Sequence, residues 1–313
     1  MQDIKTENLE LFYDCLDNSN NYLYEKFHKP YFELIEMTVN NILAGEILTD
    51  FENPEDAEPL QKIYDTIKDI DFSVEDVRKA MQAIVLRGFK EMKIPNGNTT
   101  PDTIGILFTY LITKVFKNEK LAILDPLCGT GNLLLTISNH LEITPDLFAC
   151  DNNVWMTKIT ALTADLLSTN VEIYLEDTLN LSIGNMNVVV FDMPHWEDTD
   201  NYFPYQAILH YKDMLKEDGL MLGMVENDFF SYDKNKKFKD SLLSDMSILG
   251  LIELPDEMFK STKPKLIIVL QKRLLKDKKC FMVKLPSFTD VKAFNESLID
   301  IEAWFEKNNY NNK

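Results

Sequence analysis

The stretch Leu121-Ala122-Ile123-Leu124-Asp125-Pro126-Leu127-Cys128-Gly129-Thr130-Gly131-Asn132-Leu133-Leu134 limits the fold more than any other part of the chain. It opens as a short apolar run that ends on a carboxylate, the pattern of a buried parallel strand. Gly129 and Gly131 let the backbone turn tightly and approach a ligand with no Cβ in the way. Asn132 is suited to cap a helix beginning at Leu133, which would aim free backbone N–H groups at the same crevice. Strand, glycine turn and helix make the opening βα unit of a nucleotide-type fold, whose ligand sits beyond the carboxyl end of the strand. The charge of Asp125 opposes a pyrophosphate and favours a ligand that carries an amino group. The G-x-G-x-x-G spacing of a dinucleotide site is also missing.

Downstream, apolar runs and helical patterns alternate as in βαβ units. Strands are expected at Asp146 to Cys150, Val171 to Leu175, Asn187 to Phe191, Leu220 to Val225, Ile248 to Leu254 and Leu266 to Gln271. Helices are expected at Val154 to Leu167, Tyr205 to Leu215 and Val291 to Phe305. Parallel strands share a carboxyl edge, so Asp125, Asp151 and Asp177 arrive there together. Singly each of these acids reads equally well as an exposed loop carboxylate. Jointly they suit a ligand with several donors, since a carboxylate after the second strand accepts from a pair of ribose hydroxyls.

The segment D-P-L-C-G-T-G-N-L-L resembles motif I of class I S-adenosylmethionine (SAM) methyltransferases, in particular the N6-adenine DNA methylases. The resemblance implies SAM as cofactor, held by Asp125, Pro126, Cys128, Gly129, Gly131 and Asn132. Asp151-Asn152 and Asp177-Thr178 match motifs II and III, which implies contacts to the ribose and to the exocyclic amine of the SAM adenine. Thr100-Pro101, opening a helix to about Phe116, resembles motif X, which packs over the methionine end of SAM. The implied fold is α/β, a Rossmann-like, mostly parallel sheet of about seven strands, behind a helical N-terminal domain.

The fourth strand ends in Asp192-Met193-Pro194-His195-Trp196, where amino-methyltransferases of this kind carry [N/D/S]-P-P-[Y/F/W]. In that motif the acid or amide and a proline-turn carbonyl accept the two hydrogens of the target amine, and the aromatic ring stacks on the extruded base. Asp192 and Pro194 fit the first and third positions. Met193 replaces the first proline, and either His195 or a shifted Trp196 serves as the stacking ring. The motif is degenerate, so turnover is expected to be poor. Restoring it with Met193→Pro and His195→Tyr is expected to raise methylation. No partner at ligand spacing makes His195 a metal ligand, and no metal is expected.

Residues 1–95 are read as a helical domain and 96–313 as the methyltransferase domain. Phe32, Ile35, Val39, Ile42, Leu43 and Ile47 recur at helical spacing, a second helix is placed at Pro59 to Ile67, and Ser73-Val74-Glu75-Asp76 is a capping box before a third. Pro95-Asn96-Gly97-Asn98 reads as the linker. The acidic, polar start is no signal peptide, and no apolar run is long enough for a bilayer. Cys15, Cys128, Cys150 and Cys280 lack C-x-x-C spacing, which suits reduced thiols and a cytoplasmic location.

The chain has 313 residues and a net charge of −19, an awkward balance for a partner made of phosphates. Positive charge is concentrated from Lys260 to Lys284, with a smaller group at Lys234, Lys236, Lys237 and Lys239. Each is either a solvated face or a nucleic-acid track. Leu251 to Thr262 and Leu266 to Lys272 resemble the end of the catalytic domain in type I modification subunits, and the whole resembles the YtxK-like group of bacterial methyltransferase homologues. Phe259 is either core or a second face for the base. The reading is a SAM-dependent N-methyltransferase, N6-adenine DNA methylase-like. Its rivals are a SAM-binding scaffold or regulator with weak or no turnover, and a methyltransferase of RNA, protein or a small molecule.

Overall fold

The computed structural model describes residues 6–94, 99–117, 119–198, 200–260, 262–275 and 279–308. The expected linker Pro95 to Asn98 lies outside the described residues.

Four helices come first: α1 (Thr6–Phe27), α2 (Tyr31–Ala44), α3 (Ala57–Asp65) and α4 (Val74–Glu91). The capping box forms at α4, with Ser73 Oγ accepting from Asp76 N and Asp76 Oδ2 accepting from Ser73 N, both at 3.1 Å. These helices have a small core of their own, around Leu23, Leu34, Leu60 and Tyr64, and share a larger one with the rest of the chain. Phe32, Ile35, Val39, Ala80, Met81 and Ile84 bury against Leu135, Met156 and Ile159, which belong to the sheet region.

The remainder runs α5 (Asp102–Val115), β1 (Ala122–Asp125), α6 (Asn132–His140), β2 (Asp146–Asp151), α7 (Val154–Leu166), β3 (Val171–Leu175) and β4 (Met186–Asp192). It continues with α8 (Phe203–Met214), β5 (Leu215–Glu226), α9 (Lys237–Leu242), β6 (Ser247–Glu253), β7 (Lys265–Gln271), β8 (Phe281–Lys284) and α10 (Val291–Lys307). The sheet has eight strands in the order β3-β2-β1-β4-β5-β7-β6-β8. Only β7 runs antiparallel to its neighbours. To the strands expected from the sequence the structure adds β8, a four-residue strand that pairs parallel with β6.

Side chains alternate across the pleat. On β4, Val188 and Val190 enter the core shared with Phe108 of α5, Leu134 of α6 and Phe305 of α10. Val189 and Phe191 enter the opposite core with Ile208 and Tyr211 of α8. Both faces are thus covered, as a parallel sheet requires. The carboxyl ends of β1, β2, β4 and β5 then place Asp125, Asp151, Asp192 and Glu226 on one edge. Antiparallel β7 brings its first residue to that edge, where Lys265 pairs in register with Glu226.

Candidate active site

The turn after β1 is fixed from two sides. Cys128 N donates to Cys150 O at 2.9 Å, and Gly131 N donates to Cys128 O at 2.8 Å. Gly129 and Gly131 have φ of 52° and 76°, in the left-handed region that side chains avoid. A Cβ on Gly131 would also lie 2.7 Å from Thr160 Cγ2 on α7. Asp151 braces the turn, its Oδ2 accepting from Gly129 N at 3.0 Å and its Oδ1 from Asn153 N at 2.8 Å. Burial raises the Asp151 carboxyl, against the pull of these two amides.

Asp125 is 1% exposed, and one oxygen accepts from Leu127 N at 3.2 Å. Burial pushes its carboxyl well above the usual range, and the nearby Asp151 and Asp192 push the same way. Asn132 is not the helix cap that its sequence position suggested. Gly131 takes the cap position of α6, and no side-chain cap bond is made. The Asn132 amide instead donates to Thr100 O at 2.7 Å and to Asp102 Oδ1 at 3.0 Å, and its oxygen accepts from Arg78 Nη1 at 2.7 Å.

A cavity of about 500 Å³ opens at this edge. It brings together Thr100, Pro126, Cys128, Gly129, Asp151, Asn152, Asp177 and Thr178 with Asp192, Pro194 and Trp196. Leu127, Met156, Phe203 and Gln206 complete walls that the motifs did not mark. Pro101, Asp125, Gly131, Asn132 and His195 are not part of that lining. Pro101 is the N-cap of α5, Asp125 and Asn132 lie buried behind the turn, and Gly131 is the point where α6 begins. Thr178 faces the cavity but shares its hydroxyl with Tyr211 Oη at 2.6 Å, and Asp177 Oδ1 accepts from Leu179 N at 2.9 Å.

At the end of β4, Asp192 Oδ2 accepts from Thr100 Oγ1 at 3.1 Å. Asp192 Oδ1 and the Met193 carbonyl converge on one nitrogen, Lys265 Nζ, at 2.6 and 2.7 Å. Met193 is buried, and its N–H donates to Met224 O at 2.9 Å. His195 turns away from the cavity: its Nδ1 pairs with Glu226, a carboxylate 5% exposed that also holds Lys263 Nζ at 3.2 Å. Trp196 leans on Phe203 with ring centres 5.1 Å apart, and its indole N–H donates to Asn201 O at 3.2 Å. Of the two rings proposed to stack on a base, Trp196 is the one that lines the cavity. Phe259 is half-buried against the core under α5 and α10.

Glu226 and Lys265 carry no motif. A carboxylate at the end of a strong strand was a usable signal for Glu226. Lys265 was counted in the basic stretch Lys260 to Lys284, which the structure does not keep as one track. Lys263 and Lys265 lie at the acidic edge of the sheet, on Glu226 and Asp192, whereas Lys272 Nζ donates to Leu215 O at 3.0 Å and Arg273 meets Asp218 at 3.3 Å beyond the other end of β7. A seven-residue strand separates the two groups by about 20 Å. Lys284 sits near Glu253 at 3.6 Å, while Lys276 and Lys278 lie outside the described residues.

This sheet order, glycine turn and acidic edge are shared with known proteins. The N-6 DNA Methylase family pattern matches residues 96–302, and that of the YtxK N-terminal helical domain matches residues 10–89. The chain belongs to the N-6 DNA methylase family. The uncharacterized protein YtxK of Bacillus subtilis is 31% identical, over 74% of this chain and 77% of its own. A Listeria monocytogenes structure, described as a class I S-adenosylmethionine-dependent methyltransferase, superposes with a TM-score of 0.85 at 28% identity, covering 96% of this chain and all of that one. The methyltransferase subunit of a type I restriction-modification system from Streptococcus thermophilus superposes with a TM-score of 0.63. At 15% identity over 99% of this chain and 80% of its own, it shares the fold.

This N-6 DNA methylase relative is thus a SAM-dependent methyltransferase by family and fold. Its residues fit the cofactor: Gly129, with its left-handed φ, brings bare backbone to the cavity wall, and carboxylates rather than cations line the cavity. No helix among the described residues is long and apolar enough to cross a membrane.

Proposed function

We propose that the chain methylates the exocyclic amino group of a nucleobase, adenine N6 in nucleic acid, with residues 1–95 supporting a catalytic domain at 96–313. One observation carries this reading: Asp192 Oδ1 and Met193 O meet on a single nitrogen at 2.6 and 2.7 Å. Two acceptors on one nitrogen suit the two hydrogens of an amino group whose lone pair is delocalised into a ring. Drawing on both hydrogens shifts that nitrogen toward sp³ geometry and makes its lone pair available. Bound SAM supplies an electrophilic methyl group on a sulfonium.

The remaining roles belong to this chain. Asp151, Asn152, Asp177 and Thr178 hold the adenosine part of the cofactor. The glycine turn and Thr100 receive the methionine part, with Pro101 opening the helix beside them and the charge of Asp125 buried behind the turn. Thr100 Oγ1 orients Asp192. Trp196, with Phe203 behind it, provides the ring on which the base stacks. Catalysis then rests on alignment of donor and acceptor. Lys263 and the exposed Lys234, Lys236, Lys237 and Lys239 are the nearest cations for phosphates. The free thiols suit a cytoplasmic enzyme.

A second reading is a SAM-binding regulator with little turnover. The occupation of both acceptors by Lys265 favours it. Transfer of a labelled methyl group from SAM to DNA, RNA, protein or small amines, tested side by side, decides between them. Label in nucleic acid supports the first reading. Label in no acceptor, with SAM bound, supports the second.

A further inference from the structure

Lys265 stands where the acceptor amine of the proposed reaction has to stand. Its Nζ is 2.6 Å from Asp192 Oδ1 and 2.7 Å from Met193 O, and its side chain is 16% exposed. The ammonium has three donors, and these two acceptors are the pair on which the amine site depends. The lysine reaches them from the start of β7, across the end of β5. Its backbone is fixed there by the ladder pairing with Glu226 and by the bond from Asn227 N to Pro264 O at 3.0 Å. The group is therefore held at the site by its own strand and has no need to be recruited from solution.

We infer that Lys265 is a specificity-determining residue, a tethered ammonium that keeps free aliphatic amines out of the Asp192–Met193 site. The inference rests on the amine-site reading above. Asp192 is a carboxylate, so by charge alone the site prefers an alkylammonium to a neutral aromatic amine. A tethered competitor of the same chemical class acts at an effective concentration on the order of millimolar, without diffusing away. A free alkylammonium has nothing with which to outcompete it. A nucleobase brings stacking on Trp196 in addition to its amino group. Lysine 265 thus makes admission conditional on a ring.

The test uses the full chain, Lys265→Ala, with the cofactor site saturated by S-adenosylhomocysteine, and two probes: n-propylammonium, which replaces the atoms removed, and adenosine. Calorimetry should show n-propylammonium binding to Lys265→Ala at least about tenfold tighter than to wild type, and adenosine binding tighter as well. Adding Asp192→Ala should erase both gains. Wild-type protein supplies an independent readout, because adenosine should accelerate acylation of Lys265 by an N-hydroxysuccinimide ester, followed by mass spectrometry. If n-propylammonium gains nothing, or adenosine binds wild type while leaving Lys265 acylation unchanged, the inference is overturned. Weaker adenosine binding to Lys265→Ala would likewise overturn it and make Lys265 a support for Asp192. If n-propylammonium gains while adenosine binds no variant, the exclusion of aliphatic amines stands and the nucleobase reading fails.

Discussion

Arg78 Nη1 lies 2.7 Å from Asn132 Oδ1, so a helix of the N-terminal region grips the residue beside the glycine turn. Arg78 is 1% exposed and is matched by Glu75 at 2.8 Å and Asp102 at 2.8 Å. Asn132 passes the connection to Thr100 O, and Thr100 Oγ1 meets Asp192. The helices before residue 95 are in this way wired to both halves of the site.

Arg78→Met should destabilise the fold by about 3–5 kcal/mol, because it leaves buried carboxylates without their cation. Burial raises Glu75 and Asp102, but hydrogen bonds and charge from Arg78 outweigh it and hold both below the usual carboxylate range. Lowered carboxylates stabilise above their unfolded values, about pH 4, and lose that contribution as pH falls through the folded values. Urea unfolding across pH 3–6 should therefore show a steep acid decline in wild type and a flatter one in Arg78→Met.

Asp125 has the opposite sign. Its carboxyl is raised by burial, so the ionised form opposes folding at neutral pH, and the penalty is relieved as pH falls through the raised value. Asp125→Asn should be more stable than wild type at pH 7, with an advantage that shrinks toward pH 4. It should also bind SAM less well, since a negative charge behind the glycine turn is gone. Denaturation midpoints and calorimetry on the same protein check both directions.

Asp151→Ala should weaken SAM by about 1.5–3 kcal/mol, the scale of a charge-assisted hydrogen bond. Asp151 also holds Gly129 N and Asn153 N, so Asp151→Asn should recover part of the loss by keeping one acceptor. Equal affinity of Asp151→Ala and wild type for SAM would remove Asp151 from the ribose site.

Restoring the family motif at Met193 and His195 now has a different expected outcome from the one its sequence suggests. Met193→Pro removes the N–H that donates to Met224 O, at a cost of about 1–3 kcal/mol. His195→Tyr leaves Glu226 without its imidazole partner and does not bring a ring into the cavity. The double variant should lose stability and gain no turnover. Trp196→Ala should weaken nucleobase binding by about 1–3 kcal/mol while His195→Ala leaves it nearly unchanged, as read by adenosine titration.

The strand positions and the acidic edge were legible because β-α alternation and strand-end acids are local patterns. Val188, Val189, Val190 and Phe191 had to be a central strand, and Asp192 had to follow it. Strand β8 escaped because a four-residue edge strand flanked by lysines has no periodicity to read. The roles of Asn132, Glu226 and Lys265 escaped for another reason. Each depends on a partner between 31 and 73 positions away, Arg78 or Thr100 for Asn132, His195 for Glu226 and Asp192 for Lys265. Lys265 looked like one more charge in a basic run, and only the antiparallel direction of β7 delivers it to the amine site.

The most direct test is the position of the transferred methyl. Adenine-containing DNA and RNA are incubated with SAM and either wild type or Asp192→Ala, digested to nucleosides, and read by mass spectrometry. Calorimetry confirms in parallel that both proteins bind SAM. The account predicts N6-methyladenosine or its deoxy form from wild type, and a loss of at least about a hundredfold in Asp192→Ala, the scale of removing one transition-state hydrogen-bond group. Methyl on another atom, or equal transfer by Asp192→Ala, would contradict it.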